Sequence, residues 1–178
     1  PEIFSPSNHY YNIINKGCNK AIDIYYTSTP TAGNNVCIWQ PTDSRLSQQW
    51  KIVSVGDYYH ITNREGNLAL TDPTKGMTGP SVNTGTTLTV AVADPLDDSQ
   101  LWTIETQANG YYNLINKHTE HTANLNAGLS DDGNNIISYT TDSRNATSIN
   151  RLWRFEKRDE ISSIGKIGID EPEDYALA

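Results

Sequence analysis

Apolar and polar residues trade places along this chain in short runs. Tyr11-Asn12-Ile13-Ile14-Asn15 and Ala21-Ile22-Asp23-Ile24-Tyr25 send side chains to opposite faces in turn. A period near two marks half-buried strands, whereas a helix would space its apolar residues three and four apart. Val36-Cys37-Ile38-Trp39-Gln40 and Gln49-Trp50-Lys51-Ile52-Val53 bring the count to four strands in about fifty residues. Lys16-Gly17-Cys18-Asn19-Lys20 and Thr29-Pro30-Thr31-Ala32-Gly33-Asn34 supply turn chemistry between them. The same order returns with Leu68-Ala69-Leu70 and Leu88-Thr89-Val90-Ala91-Val92, and again with Ala123-Asn124-Leu125 and Ile136-Ile137-Ser138-Tyr139.

The recurrence is a true repeat. Tyr10-Tyr11-Asn12-Ile13-Ile14-Asn15-Lys16 reappears as Tyr58-Tyr59-His60-Ile61-Thr62-Asn63-Arg64 and as Tyr111-Tyr112-Asn113-Leu114-Ile115-Asn116-Lys117, with starts 48 and 53 residues apart. A second marker, Gln48-Gln49-Trp50, Gln100-Leu101-Trp102 and Arg151-Leu152-Trp153, keeps the same beat, its tryptophans 52 and 51 apart. Two unrelated markers with one period predict one unit copied three times. The expected repeats are 9–56, 57–109 and 110–158, within one domain over 1–158 that opens with a lead-in at residues 1–9. Residues 159–178 lose the pattern, carry Asp170-Glu171-Pro172-Glu173-Asp174, and read as an acidic linker or tail.

Composition narrows the function classes. A formal net charge of −8 leaves no basic stripe to release counterions, so a nucleic-acid partner is not expected. No apolar run is long enough to span a bilayer, so no membrane partner is expected either. The chain starts at Pro1 and reads as a mature chain or an excised module. The two cysteines, Cys18 and Cys37, leave a disulfide and two free thiols both open. Nothing resembles a nucleophile elbow, a phosphate loop or paired catalytic carboxylates, so the expectation is no enzyme activity and no cofactor.

Three four-stranded units cannot each bury a face alone; sharing a core and closing into a barrel removes exposed sheet edges. The predicted fold class is therefore all-β: a twelve-stranded β-trefoil with pseudo-threefold symmetry. With the Gln-x-Trp marker in three copies, the chain resembles the ricin B-type lectins and the family 13 carbohydrate-binding modules over roughly residues 9–157. Two Gln-x-Trp motifs are intact, and Arg151 replaces the third Gln.

The resemblance implies where a sugar would sit. The family uses an acid after the second strand's apolar residues, an aromatic in the third strand and a polar pair before the final Trp. An aromatic face packs against the C–H face of a sugar, and a carboxylate accepts from paired hydroxyls. Twelve residues past the second tyrosine of each pair stand Asp23, Thr71 and Asn124. The aromatic position holds Trp39, Ala91 and Tyr139, and the polar pairs are Ser47/Gln48, Ser99/Gln100 and Asn150/Arg151. The first repeat is thus expected to carry the main site, with Asp23 as acceptor, Trp39 as platform and Gln48 as support. Ser47 stands where the family usually has Asn, and Gln40 or Asn35 compensates. The third repeat, with Asn124, Asn135, Tyr139 and Asn150, is expected to be weaker for want of a carboxylate. The second repeat is expected to be silent. Trp50, Trp102 and Trp153 are assigned to the core.

Other signals weigh less. His118-Thr119-Glu120-His121 has two imidazoles but no third ligand in sequence, so no metal is expected. Asn145-Ala146-Thr147 fits a glycosylation sequon. The resemblance implies a non-catalytic module that targets a secreted, polysaccharide-degrading enzyme to its glycan, with a galactose-containing or xylan-like ligand and a tethered catalytic domain as partners. The alternatives are a free-standing lectin or toxin-associated binding subunit, and a trefoil protease inhibitor acting through a long loop such as Asp72–Gly85.

Overall fold

The computed structural model describes residues 3–82, 84–141 and 148–161. The sequon at Asn145 and the tail from residue 162 onward lie outside the described residues. Twelve strands follow one another: β1 His9–Asn15, β2 Ala21–Ile24, β3 Val36–Trp39, β4 Trp50–Val55, β5 Tyr58–Asn63, β6 Leu68–Thr71, β7 Thr89–Val92, β8 Leu101–Thr106, β9 Tyr112–Asn116, β10 Thr122–Leu125, β11 Ile136–Tyr139 and β12 Trp153–Glu160. The alternating runs became strands because each presents one apolar face to a shared interior.

Six strands close a barrel. β1 pairs with β12 and β4, β5 with β4 and β8, and β9 with β8 and β12, all antiparallel. The hairpins β2–β3, β6–β7 and β10–β11 cap one end. They join one another through bridges at Asn35–Thr89, Cys37–Asn135 and Thr87–Ile137, so the cap is also threefold. The chain is all-β and folds as a β-trefoil.

The organising heptad has a separate task for nearly every residue. Its first tyrosine lies beneath the terminal cation of the following repeat: Arg64 sits 4.5 Å above Tyr10, Lys117 4.7 Å above Tyr58 and Lys16 4.9 Å above Tyr111. The second tyrosine pairs with the tryptophan of its own repeat, in the couples Tyr11–Trp50, Tyr59–Trp102 and Tyr112–Trp153. All three tryptophans are fully buried. Each gives its indole N–H to a second-strand carbonyl, of Ile22, Leu70 and Ala123, at 3.0–3.1 Å, which removes the penalty of a buried unpaired donor. The asparagine is a clasp between repeats. Asn63 Nδ2 donates to the Ser47 carbonyl (2.8 Å), Asn116 to that of Ser99 (2.8 Å), and Asn15 to that of Asn150 (3.1 Å), closing the ring.

The lead-in is part of the core. Phe4 is 7% exposed, and its ring centroid lies 5.8, 5.8 and 5.7 Å from Tyr11, Tyr59 and Tyr112, one tyrosine per repeat. Near-equal distances to three symmetry-related rings place it on the pseudo-threefold axis, as a plug in the barrel end away from the hairpins. Phe155 adds a fourth aromatic neighbour at 4.5 Å. At the other terminus β12 runs to Glu160, past the boundary expected at 158, and the Ile161 amide donates to the Asn8 carbonyl.

Candidate functional site

The first-repeat residues converge where β2, β3 and the 3-10 turn Leu46–Gln48 meet. Asp23 pairs across the hairpin with Cys37, and its carboxylate is fully buried. Oδ1 accepts the Ile24 amide at 2.7 Å, and Oδ2 accepts Arg45 Nε at 2.7 Å and Gln48 Nε2 at 3.3 Å. Gln48 also spans to the strand exit, donating to the Gln40 carbonyl (2.9 Å) and accepting the Thr42 amide (2.9 Å). Gln100 repeats that clamp on the Val92 carbonyl and the Asp94 amide, both at 2.8 Å. The marker glutamine is therefore a brace for the segment that follows the third strand. Ser47 is buried, its carbonyl taken by Asn63.

Above this buried floor lies an aromatic shelf. Trp39 is half-buried, and Tyr25, 54% exposed, stands 6.3 Å from it with the rings tilted by 56°. Arg45 lies over Trp39 (Cζ to centroid 5.3 Å) and Tyr26 (5.4 Å). The third repeat supplies a wall. Gly133 donates its amide to the Ile38 carbonyl at 2.8 Å, and a Cβ there would meet Tyr25 at 3.0 Å and Trp39 at 3.4 Å, so only glycine permits this approach. Asp132 accepts the Gln40 amide (2.9 Å) and pairs with Lys20 (2.9 Å). Gln40 is thus placed at the shelf by its backbone. Asn35 stands at the other end of β3, about 13 Å from Trp39 at ~3.3 Å per residue, exposed, with its carbonyl receiving the Tyr25 amide.

The charges follow from these contacts. Burial alone would lower the Arg45 pKa, but the charge of Asp23 and the hydrogen bond to it win and raise it. Burial, seconded by the negative charge of Asp23, pushes the Cys37 thiol up to about 12. Both cysteines are free thiols. The Lys20 hydrogen bond holds Asp132 below the usual carboxylate range, against a smaller opposing effect of desolvation.

In the third repeat Tyr139 ends β11 half-buried, and Asn124 is buried on β10 opposite Ile137. Asn135 is half-buried, and its carbonyl accepts the Asn126 amide. Asn150 sits in the 3-10 turn Ile149–Arg151 with its side-chain amide against Gly128. Arg151 does not reproduce the glutamine contacts. Its Nε donates to Asn113 Oδ1 at 3.0 Å, and burial lowers its pKa. In the second repeat Thr71 turns its hydroxyl to the Ala69 carbonyl, and Ala91 offers no ring.

Two features had escaped the sequence reading. Arg45 was invisible as a site residue, because only the folded turn carries it back over Asp23; an arginine just before the Ser47/Gln48 pair was the available signal. Asp72 is a second buried carboxylate, accepting Thr119 Oγ1 (2.8 Å), Ser138 Oγ (2.6 Å) and the Thr74 amide (3.0 Å). Ser138 Oγ also meets His121 Nδ1 at 2.8 Å, and His121 Nε2 meets the Gly79 carbonyl at 3.0 Å. The long loop beginning at Asp72 is thereby fastened to the third repeat, with Lys75–Thr78 left at the surface. His118 is exposed while His121 is buried in that network. Among the described residues no group of three His, Cys, Asp or Glu side chains could hold a metal.

A trefoil with a second-strand polar residue in each repeat, a third-strand aromatic in the first and third, and a glutamine-braced Trp turn in the first and second has the organisation of a lectin-like domain. Residues 3–78 and, overlapping them, 46–139 match the ricin-type β-trefoil lectin domain-like family model, and the chain belongs to that family. Among solved structures it is similar to ThreeFoil, a designed threefold-symmetric protein (25% identity, TM-score 0.73, 84% of this chain and 99% of that one). It is similar also to the exo-β-1,3-galactanase 1,3Gal43A of Clostridium thermocellum (21%, TM-score 0.70, 87% of this chain), of which it spans 31%. The ricin B-like lectin of Macrolepiota procera, solved in complex with lactose, matches over its whole length (18%, TM-score 0.66, 88% of this chain). No match was found among curated protein sequences.

Proposed function

We propose that this domain binds carbohydrate without catalysis, and that its principal site is the first-repeat shelf. The observation that carries the reading is Trp39. It stands at the family's aromatic position, half-open, flanked by the exposed ring of Tyr25 and backed by a floor already braced through Asp23 and Gln48. A sugar's C–H face would rest on these rings, with Arg45 and Gln40 setting its polar edge and the buried Asp23, Ser47 and Gln48 acting beneath as the floor that positions them, not as direct acceptors. Asn124, Asn135, Tyr139 and Asn150 would form a weaker second site, and Asn35 would contribute only to a longer ligand. The similarity in fold to about a third of the length of an exo-β-1,3-galactanase favours a targeting module of a secreted polysaccharide-degrading enzyme. The whole-length match to a fungal lectin favours the second reading, a free-standing lectin. Lactose in that lectin points to galactose-containing glycans as the first ligands to try.

Shallow single sites of this kind bind with dissociation constants on the order of millimolar to tens of micromolar, about −4 to −7 kcal/mol. Titration with soluble oligosaccharides, beside a pull-down on insoluble polysaccharide, tests the reading. Trp39→Ala should abolish most soluble binding with melting unchanged. Tyr139→Ala should matter more on the insoluble polymer, where two sites act together. Thr71→Ala should be neutral. Parent-like binding by Trp39→Ala would refute the first-repeat assignment.

A further inference from the structure

We propose that the first-repeat site selects sugars bearing a carboxylate, read by the guanidinium of Arg45. The inference rests on the carbohydrate-binding reading and narrows its substrate class. The acid expected to take sugar hydroxyls is not open to solvent. Asp23 is fully buried, and its two oxygens already accept from Ile24, Arg45 and Gln48. The Arg45 side chain covers it and is itself 32% exposed. Arg45 uses Nε on Asp23; Nη1 and Nη2 make no hydrogen bond to any described residue, which leaves four N–H donors.

The polarity of the site is therefore inverted. Where a carboxylate would accept from hydroxyls, a planar donor set stands over the Trp39 and Tyr26 rings. A carboxylate complements it, because two coplanar oxygens match two parallel N–H groups. On a hexuronate that carboxylate is carried by C5, on the ring that would stack on the shelf. Little ordering accompanies binding, since Asp23 and the rings of Trp39 and Tyr26 already hold the guanidinium in place. The overall charge of −8 does not forbid an anionic ligand. Besides Asp23, nearby acids are paired, Asp132 with Lys20 at 2.9 Å and Asp43 with Arg158 at 2.7 Å. More distant charges are screened over about 8 Å at physiological ionic strength.

The experiment compares trigalacturonate with its methyl ester, which has the same ring and hydroxyls but no charge, by titration into the full chain at low and high salt. The acid should bind at least tenfold tighter than the ester, with the advantage shrinking as salt rises. Arg45→Gln, which can still donate to Asp23, should lose the tenfold advantage, so that acid and ester bind alike. Arg45→Lys should keep part of the salt dependence and lose most of the preference. The parent comparison needs no variant, so a misfolded Arg45→Gln would not rescue the proposal. Equal affinity for acid and ester, abolished in Trp39→Ala, would overturn the carboxylate assignment and leave carbohydrate binding intact. A galactose-sulfate trisaccharide binding tighter than the uronate would also overturn it. No binding to either ligand, nor to neutral glycans on an array, would overturn both readings.

Discussion

Replacing Phe4 tests whether the amino-terminal segment is a lead-in or a structural plug. The side chain is 7% exposed and touches four aromatic rings at centroid distances of 4.5–5.8 Å. Truncating a buried Phe to Ala costs about 3–5 kcal/mol, from lost transfer energy and the cavity left behind. Phe4 lies on a short terminal segment held otherwise by Ser7 against the Tyr11 hydroxyl and by the Tyr59 hydroxyl against the Phe4 carbonyl. That segment can undock when its anchor is gone, which caps the loss near the low end, about 3 kcal/mol. At roughly 2–4 °C per kcal/mol for a chain of this size, Phe4→Ala should lower Tm by roughly 6–12 °C. Scanning calorimetry reads this directly. Phe4→Leu should fall between parent and Ala, because it refills part of the axial space. Deleting residues 1–7 should match Phe4→Ala within a few degrees. A Phe4→Ala variant melting within a degree of the parent would refute the plug and restore the segment to a passive lead-in.

Other outcomes follow from the same contacts. Asn63→Ala leaves the carbonyl of the buried Ser47 without its side-chain donor and should cost about 1–3 kcal/mol in urea unfolding, whereas Asn116→Ala should cost less at the corresponding Ser99 carbonyl, which also accepts the Asp72 amide. Glu120 holds a left-handed φ of 64° where the first two repeats have Asn19 and Asn67 at 61° and 54°. Glu120→Asn should therefore stabilise by about 0.5–1 kcal/mol, visible as a higher Tm, because Asn tolerates that conformation better than Glu. Cys37 has an ordinary value of 9.0 and is raised to about 12 in the fold. Above pH 9 the unfolded chain loses that proton while the folded one keeps it, so stability should fall between pH 9 and 12, on the order of 1 kcal/mol per pH unit. Cys37→Ala should flatten that part of the pH–stability curve; an unchanged slope would show that the thiol ionises freely in the fold.

The architecture was legible in the chain because it rests on periodic, local signals. Alternation over Tyr11–Asn15, three copies of one heptad and three tryptophans about 51 residues apart demand strands that share one interior. The assignment of the tryptophans to the core followed from their recurrence, and each is fully buried. The heptad also announced its own Asn and terminal cation, but not their partners, because Asn15 reaches Asn150 and Lys16 reaches Tyr111 only once the barrel closes.

Tertiary structure alone decided the surroundings of the site. Nothing periodic marks Phe4, and its place on the axis exists only when three repeats present a tyrosine each. Position along the strand pointed to Asp23 and Trp39; whether Asp23 faces solvent depended on Arg45, 22 residues away, folding back over it. The same holds for Asp72, whose partners Thr119 and Ser138 lie 47 and 66 residues further along. Pattern along a chain records which face of a strand is buried, since that is set by neighbours two residues apart. Which charge covers which, and therefore what a site offers a ligand, is set by contacts between segments that the pattern treats as independent.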